Sequence, residues 1–128
     1  MKKRIVVVDD DPVTLKTIER FLKEKGHQTY VADTGTEGYE LVVREKPDIL
    51  ISDMLLPGIH GVEICRKIKE NLEMSSVKVI MMTAVYKHVT YLHGDMECGR
   101  DGFLKKPVDL EELIEVIDKL YSPATLPE

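Results

Sequence analysis

Short apolar runs recur along this chain, and each stops abruptly at a polar or acidic residue. Ile5-Val6-Val7-Val8 runs into Asp9-Asp10-Asp11, Ile49-Leu50-Ile51-Ser52 into Asp53, and Val79-Ile80-Met81-Met82 into Thr83. Runs of this length, rich in β-branched residues, are strand-sized. They do not alternate polar with apolar, so both faces of each strand must be covered. That is the signature of a parallel sheet with helices on either side. Adjacent carboxylates repel one another, so three at the end of a buried strand call for a compensating cation or basic group.

Helical periodicity fills the gaps between the runs. Asp11 is placed to cap a helix that has Pro12 at its first position. Leu15, Ile18 and Leu22 recur at helical spacing, and Gly26 follows as a stop. A short strand over 29–32 comes next. Thr34 and Glu37 form a capping-box pattern for a second helix, which runs to about residue 45 and is ended by Pro47. Val62, Cys65, Ile68 and Leu72 mark one face of a third helix. Residues 87–98 are expected to form a fourth, interrupted by Gly94. Gly102-Phe103-Leu104-Lys105 reads as a fifth strand. Asp109 and Glu112 then cap a last helix, with Leu113, Val116, Ile117 and Leu120 on one face. Five such β/α units predict a three-layer α/β fold with a doubly wound, five-stranded parallel sheet. The 128 residues suit a single domain over 1–121, with 122–128 as a tail or the start of a linker.

Composition removes several function classes. A net charge of −5 opposes direct nucleic-acid binding through a broad basic face. Tryptophan is absent and aromatics are few, so base-stacking platforms are not expected. No apolar run approaches the roughly 20 residues that span a bilayer, so no membrane partner is expected. The basic start, Met1-Lys2-Lys3-Arg4, leads into an apolar stretch too short for a signal peptide. Cys65 and Cys98 form no CxxC motif and have no histidine at metal spacing, so they read as two reduced thiols of a cytoplasmic protein. His27, His60, His88 and His93 read as surface residues. Glu37, Glu40, Lys67, Lys69 and Glu70 read as solvated helix faces, and Met81-Met82 as core.

In an open parallel sheet the ligand site lies beyond the carboxyl ends of the strands. Those ends deliver Asp9, Asp10 and Asp11 from the first strand, Asp53 from the third, Thr83 and Ala84 from the fourth, and Lys106 from the fifth. Carboxylates at this density suit a hard, oxygen-seeking cation such as Mg²⁺, which shares its coordination with phosphate oxygens. A lysine and a threonine hydroxyl opposite it would serve the same phosphate. Asp53 is then placed to act as a carboxylate nucleophile toward phosphorus, giving an acyl phosphate. Asp11 is expected to keep its capping role.

The motifs Val7-Val8-Asp9-Asp10-Asp11, Asp53-Met54-Leu55-Leu56-Pro57-Gly58-Ile59-His60-Gly61, Met82-Thr83-Ala84 and Gly102-Phe103-Leu104-Lys105-Lys106-Pro107 resemble the receiver domain of two-component response regulators. The likeness covers residues 3–121. It implies strand order 2-1-3-4-5, the flavodoxin-like order. It implies that Asp53 is the phosphoacceptor, charged from the phosphohistidine of a histidine kinase or from a phosphotransfer protein. Asp10 would bind Mg²⁺ directly, Asp9 would assist through water, and the Leu55 backbone carbonyl would complete the protein ligands. Thr83 and Lys106 would contact phosphoryl oxygens, Phe103 would be the aromatic switch residue beside Thr83, and the Lys106–Pro107 bond would be cis. Lys106 is preferred over Lys105 because the proline follows it.

The output would be a changed contact with a downstream protein or a covalently attached effector domain, made by a monomer or a phosphorylation-dependent dimer. The chain would be a signalling switch that catalyses its own phosphorylation and slow dephosphorylation, not an enzyme acting on a separate substrate. Leu55 and Val85, two residues past Asp53 and Thr83, are apolar where the family flanks the path of the attacking water, and slow self-dephosphorylation is expected from them. The region 86–99 departs most from the family's usual pattern.

Other readings fit less well. A haloacid-dehalogenase-like phosphatase needs a second Asp two residues after its nucleophile, and Leu55 stands there. A flavin or nucleotide module needs glycines, hydroxyls or a G-x-x-x-x-G-K-[ST] cradle after the first strand, where this chain has three acids. A receiver used only for docking would not need Asp10, Asp53, Thr83 and Lys106 together.

Overall fold

The computed structural model describes residues 2–84 and 98–121. Its elements are β1 (Arg4–Val8), α1 (Pro12–Glu24), β2 (Gln28–Ala32), α2 (Gly35–Glu45), β3 (Ile49–Asp53), α3 (Gly61–Glu70), β4 (Lys78–Thr83), β5 (Gly102–Lys105) and α4 (Leu110–Leu120). The five strands form one parallel sheet in the order β2-β1-β3-β4-β5. The helix expected over 87–98, with His88 and His93, lies outside the described residues except for Cys98, as do Val85 and the tail 122–128. Among the described residues no helix is long and apolar enough to cross a membrane.

Successive strand residues point to opposite faces, and this splits the core in two. Val6, Val8, Leu50, Val79 and Met81 pack with Leu41 and Val42 of α2 and Ile64 and Ile68 of α3. Ile5, Val7, Ile49, Ile51, Ile80 and Met82 pack with Ile18 and Leu22 of α1 and Leu113 and Ile117 of α4. The central strands are therefore apolar between their polar ends, at residues 5–8, 49–51 and 79–82, because those stretches feed both layers. The Met81-Met82 pair serves one layer each.

The helix starts follow their local chemistry. The Asp11 carboxylate accepts the Val13 N–H, the Thr34 hydroxyl accepts the Glu37 N–H, and the Asp109 carboxylate accepts from Glu111 and Glu112. Gly26 follows α1 with φ +93°, a conformation that favours glycine.

Three sequence expectations change. Helix α3 stops at Glu70, so Leu72 is not on its apolar face but 93% exposed. The Asn71 side chain accepts the Glu73 N–H and turns the chain, and Met74 takes the core position instead. His27 is buried, not on the surface, and its Nδ1 accepts the Lys3 N–H at 3.1 Å. Lys69 is not a solvated side chain: its ammonium pairs with Asp101 at 2.8 Å and donates to the Val77 carbonyl at 2.7 Å.

Candidate functional site

The register of the sheet aligns the strand ends. Val8 pairs with Ser52, Asp53 with Met82, and Thr83 with Lys105. The residues that follow or close these strands therefore meet at one edge. Oxygen atoms of Asp9, Asp10 and Asp53 all lie within 4.8 Å of one another.

Asp9 is wholly buried and Asp53 is 9% exposed, while Asp10 faces solvent. The Asp9 carboxylate is used on both sides: Oδ1 accepts the Asp11 N–H at 2.9 Å, and Oδ2 accepts from Lys106 Nζ at 2.9 Å. The same ammonium donates to Asp53 Oδ2 at 3.0 Å, and the Leu55 N–H donates to Asp53 Oδ1 at 3.3 Å. Lys106 thus bridges two acids that would otherwise repel each other.

The electrostatics follow from this packing. Burial raises the Asp53 carboxyl above its ordinary range; Lys106 opposes the rise and the Asp9 charge adds to it. Burial would lower the Lys106 ammonium, but its bonds to Asp9 and Asp53 outweigh that and raise it. Lys106 therefore stays a cation at neutral pH.

The loop after Asp53 is held from two sides. The Gly35 N–H at the start of α2 donates to the Pro57 carbonyl at 3.0 Å, and a Cβ on Gly35 would overlap the Ile59 carbonyl. A Cβ on Gly61 would likewise overlap the Asp53 carbonyl. The sequence reading missed this clamp. Its one signal was a glycine at the first turn of a helix, where glycine is otherwise unfavourable.

The remaining candidates occupy distinct places. Thr83 ends β4, is buried, and its carbonyl accepts the Lys106 N–H at 2.8 Å. Phe103 lies on β5 opposite Met81, half-buried, with the Arg100 guanidinium 5.2 Å from its ring centre. The Leu55 side chain is 48% exposed. The Lys106–Pro107 bond is cis. Asp11 turns away to cap α1, taking the Thr14 hydroxyl at 2.6 Å.

Three anionic oxygen donors within a few ångströms, with no sulfur or imidazole among them, fit a hard divalent cation better than a soft one.

Comparison with known proteins agrees with this geometry. Protein PilH of Pseudomonas aeruginosa is 34% identical over 119 residues, covering 93% of this chain and 98% of that one. The receiver domain of a signal transduction histidine kinase from Syntrophus aciditrophicus superposes with a TM-score of 0.84 at 28% identity, covering 98% of this chain and 95% of that one. Chemotaxis response regulator CheY4 of Vibrio cholerae shares the fold at a TM-score of 0.84 and 20% identity, covering 94% of this chain and 99% of that one. The sequence model of the response regulator receiver domain matches residues 5–118. That span holds β1 from Ile5 onward, the other four strands whole and most of α4, so the chain belongs to the response regulator receiver domain family.

Proposed function

We propose that this receiver domain takes a phosphoryl group onto Asp53 from the phosphohistidine of a histidine kinase or phosphotransfer protein, and that Mg²⁺ is required. The observation that carries the reading is the bridge from Lys106 Nζ to Asp9 Oδ2 and Asp53 Oδ2, at 2.9 and 3.0 Å. It leaves Asp53 nearly buried, with a fixed cation beside the oxygen that would attack phosphorus.

The reaction is an in-line displacement. An Asp53 carboxylate oxygen forms the new P–O bond as the P–N bond to the donor imidazole breaks, and the product is an acyl phosphate. Asp9, Asp10, Asp53 and the Leu55 carbonyl would hold Mg²⁺, which supplies charge neutralisation for the acids and for the incoming phosphoryl oxygens. Asp9 keeps one hold on the Lys106 ammonium when Asp53 loses its negative charge. Lys106 is then positioned to turn toward a phosphoryl oxygen, and Thr83 at the end of β4 to donate its hydroxyl to another.

The change at Asp53 biases a two-state equilibrium read out by Thr83 and Phe103, and it alters a contact with a downstream partner. The domain promotes its own phosphorylation and its slow hydrolysis, and has no separate substrate. The test is incubation with acetyl phosphate and Mg²⁺, read by intact mass. One phosphoryl adduct is expected on the wild type and none on Asp53→Asn or in excess chelator. No adduct on the wild type, or an unchanged one on Asp53→Asn, refutes the reading.

A further inference from the structure

Cys65 and Cys98 belong to no part of the acidic site, yet the fold brings them together. They are 33 residues apart in the chain, and Cys65 Sγ donates to the Cys98 carbonyl at 3.4 Å. Both are buried and reduced. The backbone around them is pinned. Lys69, one turn along α3 from Cys65, pairs with Asp101 at 2.8 Å. The Asp101 N–H donates to the Val79 carbonyl at 2.7 Å, and its carboxylate accepts the Val79 N–H at 2.8 Å.

The two thiols also differ in character. Cys65 is pushed up by a side-chain hydrogen bond with the Cys98 thiol and by burial, so it holds its proton. Cys98 is pushed down to about 7 by that thiol–thiol bond, with the Arg100 N–H and the charges of Arg100 and Arg66 acting with it against burial. A thiolate beside a protonated thiol is the arrangement in which one sulfur is oxidised and the other resolves it.

We propose that Cys65 and Cys98 form a reversible redox modification site, at which a hydroperoxide converts the two thiols to an intramolecular disulfide. The Cys98 sulfur attacks hydrogen peroxide and the O–O bond breaks. The departing hydroxide takes a proton to become water, leaving a sulfenic acid on Cys98. The Cys65 sulfur then attacks the Cys98 sulfur. The S–S bond forms as the S–O bond breaks, and the Cys65 proton leaves with the hydroxide as a second water. One peroxide is reduced to two waters while the thiol pair gives up two electrons, and a dithiol reductant reverses the change. The closed loop contains β4 and Thr83, so oxidation constrains the strand that ends at the acidic site.

The test uses the full chain, reduced and then treated with equimolar hydrogen peroxide. Intact mass and peptide mapping are read without reductant. The expected result is loss of two hydrogens and a Cys65–Cys98 linked peptide, both reversed by dithiothreitol. With dimedone present, Cys65→Ser should carry the adduct on Cys98, and Cys98→Ser should carry little on Cys65. A wild type that keeps both thiols, links between chains or goes directly to sulfinic acid overturns the proposal. Preferential labelling of Cys65 overturns the assigned order. The wild-type measurement decides the disulfide even where a serine variant fails to fold.

Discussion

Lys106 and Asp9 lie 97 residues apart in the chain and meet at 2.9 Å, and the same ammonium also holds Asp53 at 3.0 Å. One cation thus spans the first, third and last strands of the sheet. The pairing makes two nearly buried carboxylates tolerable before any metal arrives. It also makes the stability of the fold and the chemistry of the site depend on the same few charges.

Removing the bridge should therefore unbalance the fold. Lys106→Met leaves Asp9 buried without its counter-charge. The expected loss is on the order of 3 kcal/mol, the low end for deleting one partner of a buried pair, because Lys106 keeps some contact with solvent. Asp53→Asn should act in the opposite direction. Burial and the Asp9 charge disfavour its ionised form, so the neutral amide should raise stability when divalent cations are absent. Mg²⁺ should narrow or reverse that gain, because the wild type offers one more carboxylate. Urea denaturation of the three proteins, with Mg²⁺ and with chelator, checks both signs. A Lys106→Met protein as stable as the wild type in chelator would count against the bridge.

The clamp on the loop after Asp53 separates positioning from stability. Gly35→Ala drives a methyl into the Ile59 carbonyl, and a backbone atom cannot rotate aside. The cost should be roughly 1–3 kcal/mol, accompanied by slower phosphorylation from acetyl phosphate, since the loop that carries Leu55 must move. Gly26→Ala is the control. Its φ of +93° makes any side chain unfavourable, by about 1 kcal/mol, but nothing lies within 4 Å of the new methyl. Its phosphorylation rate should match that of the wild type. Equal rates for both variants at equal folded fraction would remove the positioning role.

Much of this site was legible because its side chains follow strand ends. Asp9, Asp10, Asp53, Thr83 and Lys106 each stand where an apolar run stops, and a parallel sheet collects such positions at one edge. Contacts between distant segments were not legible. Nothing around His27 announces that its ring would be buried and accept the Lys3 N–H. Cys65 and Cys98 have no sequence spacing that marks a pair, since the pairing depends on how α3 lies beside the chain entering β5. Leu72 fitted the helical period of α3, and only the Asn71 turn, a side-chain preference, overrode it.

His27 should give stability a pH dependence of its own. Burial lowers its imidazole first; the positive N-terminus and Lys3 add to this, and Asp118 partly opposes it. The folded state therefore binds the proton less readily than the unfolded state does. As pH falls through the unfolded value near about 6.5, the unfolded chain takes up protons first and stability falls. The loss continues until the lower folded value is passed. His27→Asn keeps an acceptor for the Lys3 N–H and removes the titration. Chemical denaturation from neutral to mildly acidic pH should show a steeper decline for the wild type than for the variant. Parallel declines would sink this assignment.

The exposed Leu55 bears on how long the phosphoryl group survives. Its N–H donates to Asp53 at 3.3 Å, so the residue is fixed beside the acceptor while its side chain reaches solvent. Hydrolysis needs a water oriented toward phosphorus, and an isobutyl group offers that water no hydrogen bond. A polar residue there can hold the water in line, and positioning of this kind changes rates without altering the acceptor. Leu55→Asn should therefore shorten the lifetime of the phosphorylated state, and Val85→Glu should shorten it further if the two positions flank one approach path. The decay of the intact-mass adduct after removal of acetyl phosphate measures this directly. The lifetimes are compared at saturating Mg²⁺, so that altered metal affinity does not pass for altered hydrolysis. Equal lifetimes in wild type and both variants would show that the apolar residues do not protect the acyl phosphate.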